Sequence, residues 1–148
     1  METQTIHFFP AEKTLFNHDQ IADFLVEHLD EFGDKKEDIL KCLAFAQDAT
    51  KGGNIILAVA ENEIIGAVVL NKTGMSGYIP ENILVYIAVN NLYRGKGIGK
   101  KLMEDAITFS EGNIALHCEP QNPALKLYEK LGFTNKYLEM RLEKPSKN

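Results

Sequence analysis

The sequence predicts an α+β fold: a mixed, mostly antiparallel central sheet flanked by helices, with one parallel pair of strands. Three observations predict it. The hydrophobic periods run strand, two helices, three strands, helix, strand, helix and a last strand region. Hairpin-like connections dominate the strands. One strand–helix–strand crossover, over Ile83 to Cys118, sets two strands parallel in the right-handed sense.

Taken in order, Thr3 to Phe9 reads as a short strand stopped by Pro10. Asn17-His18-Asp19-Gln20 has the form of a helix start, a capping residue with Gln three positions on. Ile21, Phe24, Leu25, Leu29 and Phe32 then recur at helical spacing up to Gly33. Asp34 to Glu37 opens a second helix in the same way; Ile39, Leu43 and Ala46 line its inner face and Thr50-Lys51-Gly52-Gly53 ends it. The acids Asp19, Asp23, Glu27, Asp30, Glu31, Asp34, Glu37 and Asp38 read first as a solvated face. The sharper alternative is that some of them edge a pocket and attract an amine. His28 reads as a surface or packing residue.

Asn54 to Glu61 and Ile64 to Lys72 are two strands joined by the polar turn Glu61-Asn62-Glu63. Gly66 marks a bulge or a close approach. Thr73 to Pro80 is a loop, and Ile83 to Val89, β-branched and aliphatic apart from one Tyr, is a buried strand. From Ile98, the residues Leu102, Met103, Ala106, Ile107 and Phe109 form one apolar helix face. Gly112 breaks that helix and Ile114 to Cys118 is a short strand. Pro120-Gln121-Asn122-Pro123 turns into a helix over Ala124 to Leu131; Gly132 ends it. Phe133 begins the last strand region, which runs through Tyr137 to Leu142, and Glu143 to Asn148 is a polar, frayed tail.

At 148 residues, with 45% apolar and 25% charged residues, one domain over residues 1–148 is expected, long enough for a core. A net charge of −5 argues against nucleic acid. Cys42 and Cys118 form neither a zinc set nor a disulfide framework. No signal peptide or membrane span is visible, so a cytoplasmic chain is expected.

The chemistry gathers where the strand ending at Val89 meets the helix starting at Ile98. Gly95, Gly97 and Gly99 alternate with Lys96, Ile98 and Lys100 behind Arg94. Backbone without Cβ atoms turns sharply and lets a ligand approach its N–H groups. A helix start adds free N–H groups and a positive dipole end. This is an anion site suited to phosphate or pyrophosphate. A Walker loop fails, since only three residues separate Gly95 from Gly99 and Lys101 follows Lys100. The dinucleotide fingerprint fails because Lys100 stands where its third glycine belongs.

Arg-x-x-Gly-x-Gly does fit, as Arg94, Gly97 and Gly99 after Ile87-Ala88-Val89. This resembles the acyl-CoA-binding motif of the GNAT family of N-acetyltransferases. A second stretch, Ala124-Leu125-Lys126-Leu127-Tyr128-Glu129-Lys130-Leu131-Gly132-Phe133, resembles that family's Ala-x-x-x-Tyr-x-x-x-Gly-Phe pattern. The resemblance covers roughly Ile55 to Phe133.

The resemblance implies an acyl-CoA N-acyltransferase-like fold in which the strand ending Ile87-Ala88-Val89 and the strand Ile114 to Cys118 splay apart around acetyl-CoA as co-substrate, with no metal. It implies that the pantetheine arm pairs with backbone of Ile87 and Val89. The pyrophosphate would rest on N–H groups of Gly95, Lys96, Gly97, Ile98, Gly99 and Lys100, with Arg94 leading the loop. Chemistry would be direct attack of a primary amine on the thioester. The Val89 N–H would face the oxyanion, and Tyr128 would supply the leaving thiolate with a proton; plain packing is the other reading of Tyr128. The acceptor would be a small molecule or a protein amine, with no nucleic acid or membrane partner, on a monomer or homodimer.

Two positions depart from the family pattern. Val85 stands where many relatives carry a Glu, so that candidate base is missing. Gln121 stands where many place Asn, with Asn122 next to it; either could contact CoA, and Asn122 is the favoured one. Aligned from the strand, His117 falls at another catalytic position; aligned from the helix, Leu116 does. Histidine suits a base intrinsically, and a strand histidine facing solvent is the other reading. Glu119 and Glu81 are further candidates. A non-catalytic acyl-CoA-sensing module is the competing function.

Overall fold

The computed structural model describes residues 2–10 and 12–146. Among them the chain forms β1 (Gln4–Phe8), α1 (His18–Leu29), α2 (Lys36–Gln47), β2 (Gly53–Ala60), β3 (Glu63–Lys72), β4 (Asn82–Val89), α3 (Ile98–Phe109), β5 (Ile114–Leu116) and α4 (Leu125–Lys130), with 3₁₀ turns at Asp30–Phe32 and Asn91–Tyr93. The chain divides into two compact units, Met1–Leu116 and His117–Asn148, each taken by itself.

The first unit holds one five-stranded sheet in the order β1-β2-β3-β4-β5. Its pairs are antiparallel except β4 with β5, which is parallel. The α+β, mixed-sheet expectation is what the chain adopts. β2 and the middle of β3 are buried on both faces, which is why their sequences read as unbroken apolar runs. One face packs Ile55, Leu57, Val59, Ala67 and Val69 against Ile21, Leu25, Ile39 and Leu43 of α1 and α2. The other carries α3, whose Leu102, Met103 and Ala106 are fully buried.

Asn17 caps α1 as expected: its side chain accepts from the Gln20 N–H while the Gln20 side chain accepts from the Asn17 N–H, both at 2.8 Å. The start of α2 differs. Lys35 holds the cap position without a side-chain bond, because the Asp34 carboxylate is engaged elsewhere, by Tyr86. The β2–β3 loop is two residues, Glu61 and Asn62, both at positive φ (52° and 65°), the type I′ geometry that matches strand twist. Gly66 meets both readings of it. Ile65 is the extra residue of a bulge beside it, and α3 lies directly over it.

β4 carries a second bulge. Val69 pairs with Tyr86 and Leu70 with Leu84, leaving Val85 unpaired between them. The extra residue turns Tyr86 onto the face of α1 and α2. β4 and β5 pair only over Asn82–Leu84 and Ile114–Leu116. β5 is therefore shorter than the expected Ile114 to Cys118; His117 and Cys118 lie outside it. Asn82, 1% exposed, ties this short pair to the chain behind it, donating its side-chain amide to Glu111 O at 2.7 Å.

In the second unit, α4 ends in a Schellman motif. Gly132 at φ 101° follows the last helical residues. The Phe133 N–H donates to Tyr128 O at 3.0 Å and the Gly132 N–H to Glu129 O at 3.1 Å. The Tyr128 and Phe133 rings, 6.0 Å apart, supply the motif's apolar contact. The spacing Tyr-x-x-x-Gly-Phe is the chemistry of stopping this helix. The last strand is absent: residues 133–146 carry no helix or strand. A strand needs a partner edge for its backbone groups. Here Tyr137, Leu138, Met140 and Leu142 are all exposed instead. Of the polar tail, Lys147 and Asn148 lie outside the described residues.

Candidate active site

In the first unit, the backbone of Val85 to Val89 has β3 on one edge and no strand on the other among the described residues. These residues include Ile87, Ala88 and Val89. Beyond them Asn90 accepts from the Leu92 N–H at 2.9 Å and caps the 3₁₀ turn. The Asn90 N–H donates to Ile65 O at 2.8 Å, so the end of β4 is pinned to β3. Arg94 folds back, its Nε donating to Val89 O at 3.4 Å. That contact neighbours the N–H on which the family resemblance centres.

Gly95 and Gly97 take φ of 79° and 81°, and no heavy atom lies within 4 Å of where their Cβ atoms would be. The loop backbone is open to an approaching group, and an L side chain at either position would be strained. Gly97 is the N-cap of α3 and provides no side-chain cap. The first N–H groups of α3, from Ile98, Gly99 and Lys100, therefore point out of the helix end. Lys96 sits over the Tyr93 ring with Nζ 5.3 Å from its centroid. Lys101, by contrast, is paired with Asp105, at 2.8 Å. The residues present fit a pyrophosphate: an open glycine backbone, a helix start, and cations flanking it. A cavity of about 250 Å³ adjoins the same loop, lined by Thr3, Thr5, Ala58, Lys96, Gly97 and Lys101 among others. It flanks β1 and β2, not the unpaired length of β4, and the thioester is not assigned to it.

Tyr86 is the feature sequence reasoning missed. It is buried, and its hydroxyl donates to Asp34 Oδ2 at 2.6 Å. Burial, then this bond and the Asp34 charge, push the phenol well above its ordinary value. Val85, the missing-base position, is the bulge residue.

In the second unit, Tyr128 is 6% exposed. Burial first, and the neighbouring Cys118 second, push its phenol up to about 12, so it holds its proton throughout the neutral range. Cys118 is half-buried and its thiol is also raised, by burial and then Glu119. His117 is exposed and one residue past β5. Asn122 shapes the turn before α4, its Oδ1 accepting from the Ala124 N–H at 2.9 Å and its carbonyl from the Leu125 N–H at 3.1 Å. No helix among the described residues is long and apolar enough to cross a membrane.

Comparison with known proteins bears on this arrangement. A family model described as an acetyltransferase (GNAT) domain matches residues 51–135. N-alpha-acetyltransferase 30 of Xenopus laevis is 38% identical over 82 residues, covering 52% of this chain and 30% of that relative's length. A transcriptional regulator from Bacillus halodurans C-125 superposes with a TM-score of 0.70 at 19% identity, over 96% of this chain and 99% of that one. A ribosomal-protein-alanine N-acetyltransferase from Brucella melitensis does so at 0.65 and 19%, over 97% and 99%. An aminoglycoside acetyltransferase from a soil metagenome gives 0.67 and 17%, over 98% and 100%. At these identities the structural matches speak to the fold. The family match covers more than half of the sequence, and the chain belongs to the GNAT family of acetyltransferases.

Proposed function

We propose that this chain transfers an acetyl group from acetyl-CoA to a primary amine by direct attack in a ternary complex, with both units acting as one acetyltransferase domain. The observation that carries the reading is the edge of β4 over Val85 to Val89, uncovered by any strand of the described residues and followed, after one 3₁₀ turn, by an unobstructed glycine loop and the start of α3. Ile87 and Val89 would offer backbone groups to the pantetheine arm. Gly95 to Lys100 would cradle the pyrophosphate, with Arg94 and Lys96 adding charge and Asn122 a further contact to CoA. The Val89 N–H would donate to the carbonyl oxygen as the new C–N bond forms. As the C–S bond breaks, Tyr128, protonated at neutral pH because its phenol is raised to about 12, would give its proton to the leaving sulfur.

The amine must lose a proton as well, and β4 offers Val85 where a carboxylate would serve. A protein α-amine, with an ordinary pKa of about 7.7–8.0, is far easier to free than a lysine amine at about 10.4. The missing carboxylate and the N-alpha-acetyltransferase relative both favour an α-amine acceptor over a small-molecule or lysine amine. His117, exposed and therefore open to solvent, is the candidate base. The Val85 departure also favours a second reading, an acyl-CoA sensor without turnover.

Calorimetric titration with acetyl-CoA, with ATP and NAD as controls, tests the donor site. CoA release with peptides and small amines tests transfer. Selective acetyl-CoA binding with turnover supports the enzyme; binding without turnover of any amine supports the sensor.

A further inference from the structure

We propose that β1 is a dimer face: two copies of this chain join their β1 edges antiparallel about a two-fold axis at Ile6, and Phe9 of each fills the cavity beside Thr3 and Thr5 of the other. The inference stands apart from the acetyltransferase reading and chooses the homodimer over the monomer.

β1 is the outer strand of the sheet, and among the described residues β2 is the strand that pairs with it. An outer strand leaves a row of backbone N–H and C=O groups that another strand can join. Folded chains usually guard such a row with charged side chains, proline or a bulge. β1 has none of these. Thr3-Gln4-Thr5-Ile6-His7-Phe8-Phe9 holds no Lys, Arg, Asp, Glu or Pro, and its register with β2 is unbroken from Gln4 to Phe8.

Side chains alternate across a sheet. Ile6 and Phe8 pack into the core beside α1 and α2. Thr3, Thr5, His7 and Phe9 take the other face, that of α3. There the His7 ring lies 4.2 Å from both Phe109 and Phe9, and Phe9 remains 52% exposed. At the opposite end of the same face, Thr3 and Thr5 line the cavity of about 250 Å³, whose apolar walls are Ala58, Ile98 and Leu102. An apolar cavity of roughly 150 Å³ already holds a benzene ring. One strand thus carries an exposed ring at one end and room for a ring at the other, the self-complementarity that a two-fold contact needs.

The register follows. An axis normal to the sheet keeps both α3 faces on one side. With that axis at Ile6, Thr5 faces the partner's His7, Gln4 the partner's Phe8 and Thr3 the partner's Phe9. An axis at Thr5 would set the partner's Phe9 beyond Thr3. One at His7 would set Gln4 against the partner's Pro10, which has no N–H to pair. Charge agrees with this pairing. Glu12 Oε2 accepts from the Phe9 N–H at 3.3 Å, so a carboxylate accompanies the ring, and Lys96 and Lys101 line the cavity it reaches. Opposite charges at a rim fix register and orientation.

The test is sedimentation velocity on the full chain from ~1 to ~100 μM, where a modest interface associates. Wild type should pass from monomer to dimer. Phe9→Ala empties the partner's cavity, and Thr3→Arg sets a charge against the partner's ring; each should raise the dimer Kd roughly tenfold or more, the loss of one buried anchor. Thr3 is exposed ahead of β1, so Thr3→Arg should leave the circular dichroism spectrum unchanged. Register is read by cross-linking. Ile6→Cys would face its own copy across the axis, with Cα atoms about 4.5–5.5 Å apart, within disulfide reach. Mild oxidation should join that variant into a reducible dimer. Gln4→Cys, four residues and about 13 Å along the strand from its copy, should not cross-link, and wild type controls for Cys42 and Cys118. A chain that stays monomeric throughout would overturn the proposal. So would a dimer that Phe9→Ala and Thr3→Arg leave intact, or one that cross-links through Gln4→Cys and not Ile6→Cys, since the contact would then lie on another face or in another register.

Discussion

Gly66 of β3 faces Leu102 of α3 so closely that a Cβ on the glycine would stand 2.9 Å from Leu102 Cδ1 and 3.2 Å from Ile98 Cγ2. Leu102 is fully buried, so its side chain can give way only by pressing on packed neighbours. Gly66→Ala should therefore destabilise the fold by about 1–3 kcal/mol through overpacking, against a gain of about 0.4–1 kcal/mol from a stiffer unfolded chain. Urea unfolding reads the net loss. Adding Leu102→Val should recover part of it; two losses that simply sum would mean the contact is not the cause.

Glu81 ties the loop after β3 to the turn before β5. Its Oε1 accepts from the Asn113 N–H at 2.7 Å and its Oε2 from the Gly77 N–H at 3.1 Å. These bonds hold its pKa below the ordinary value of 4.5. A depressed carboxylate stabilises the fold above its unfolded pKa and loses that contribution as pH falls through the folded one. Glu81→Gln should thus lower the urea midpoint most at neutral pH, with the gap to wild type closing below about pH 4.5. A gap that stays constant with pH would mean the charge plays no part.

Gly97 caps α3 at φ 81° with open space around it. Gly97→Val should leave the circular dichroism spectrum intact yet cost roughly tenfold or more in acetyl-CoA affinity, because a β-branched residue strains the turn and covers backbone donors. Unchanged calorimetric affinity would remove the loop from the CoA site.

Tyr128→Phe should lower kcat by about 10²-fold or more, the usual worth of a general acid, with a smaller effect on acetyl-CoA binding. Because its phenol is raised to about 12, wild type should show no alkaline loss from this group up to about pH 10. Wild-type turnover in the variant would leave Tyr128 a packing residue.

Much of the fold was legible because it rests on local chemistry. Asn17 and Gln20 announce their helix through a reciprocal bond three residues apart. Gly95 and Gly97 announce a turn that L side chains resist. Tyr128, Gly132 and Phe133 announce a helix end through one motif. What escaped depends on long-range partners. Asp34 looks like a cap until Tyr86, from a distant strand, is seen to hold it. Val85 is one more β-branched residue in an apolar run, and only its pairing with β3 reveals a bulge. The strand expected through Tyr137 to Leu142 has suitable residues, yet it is no strand in the structure and its apolar side chains are exposed.

β4 is an interior strand for part of its length and a border for the rest. Among the described residues, Asn82 to Leu84 are tied to neighbours on both sides, while Tyr86 to Val89 are tied on one. Amide hydrogens that face the untied side should trade with solvent quickly, and those of the same strand that face β3 slowly. A ligand bound along that border would slow the exchange of a few alternate residues without any change of shape. Occupancy would then be readable in time, residue by residue, before any product is made.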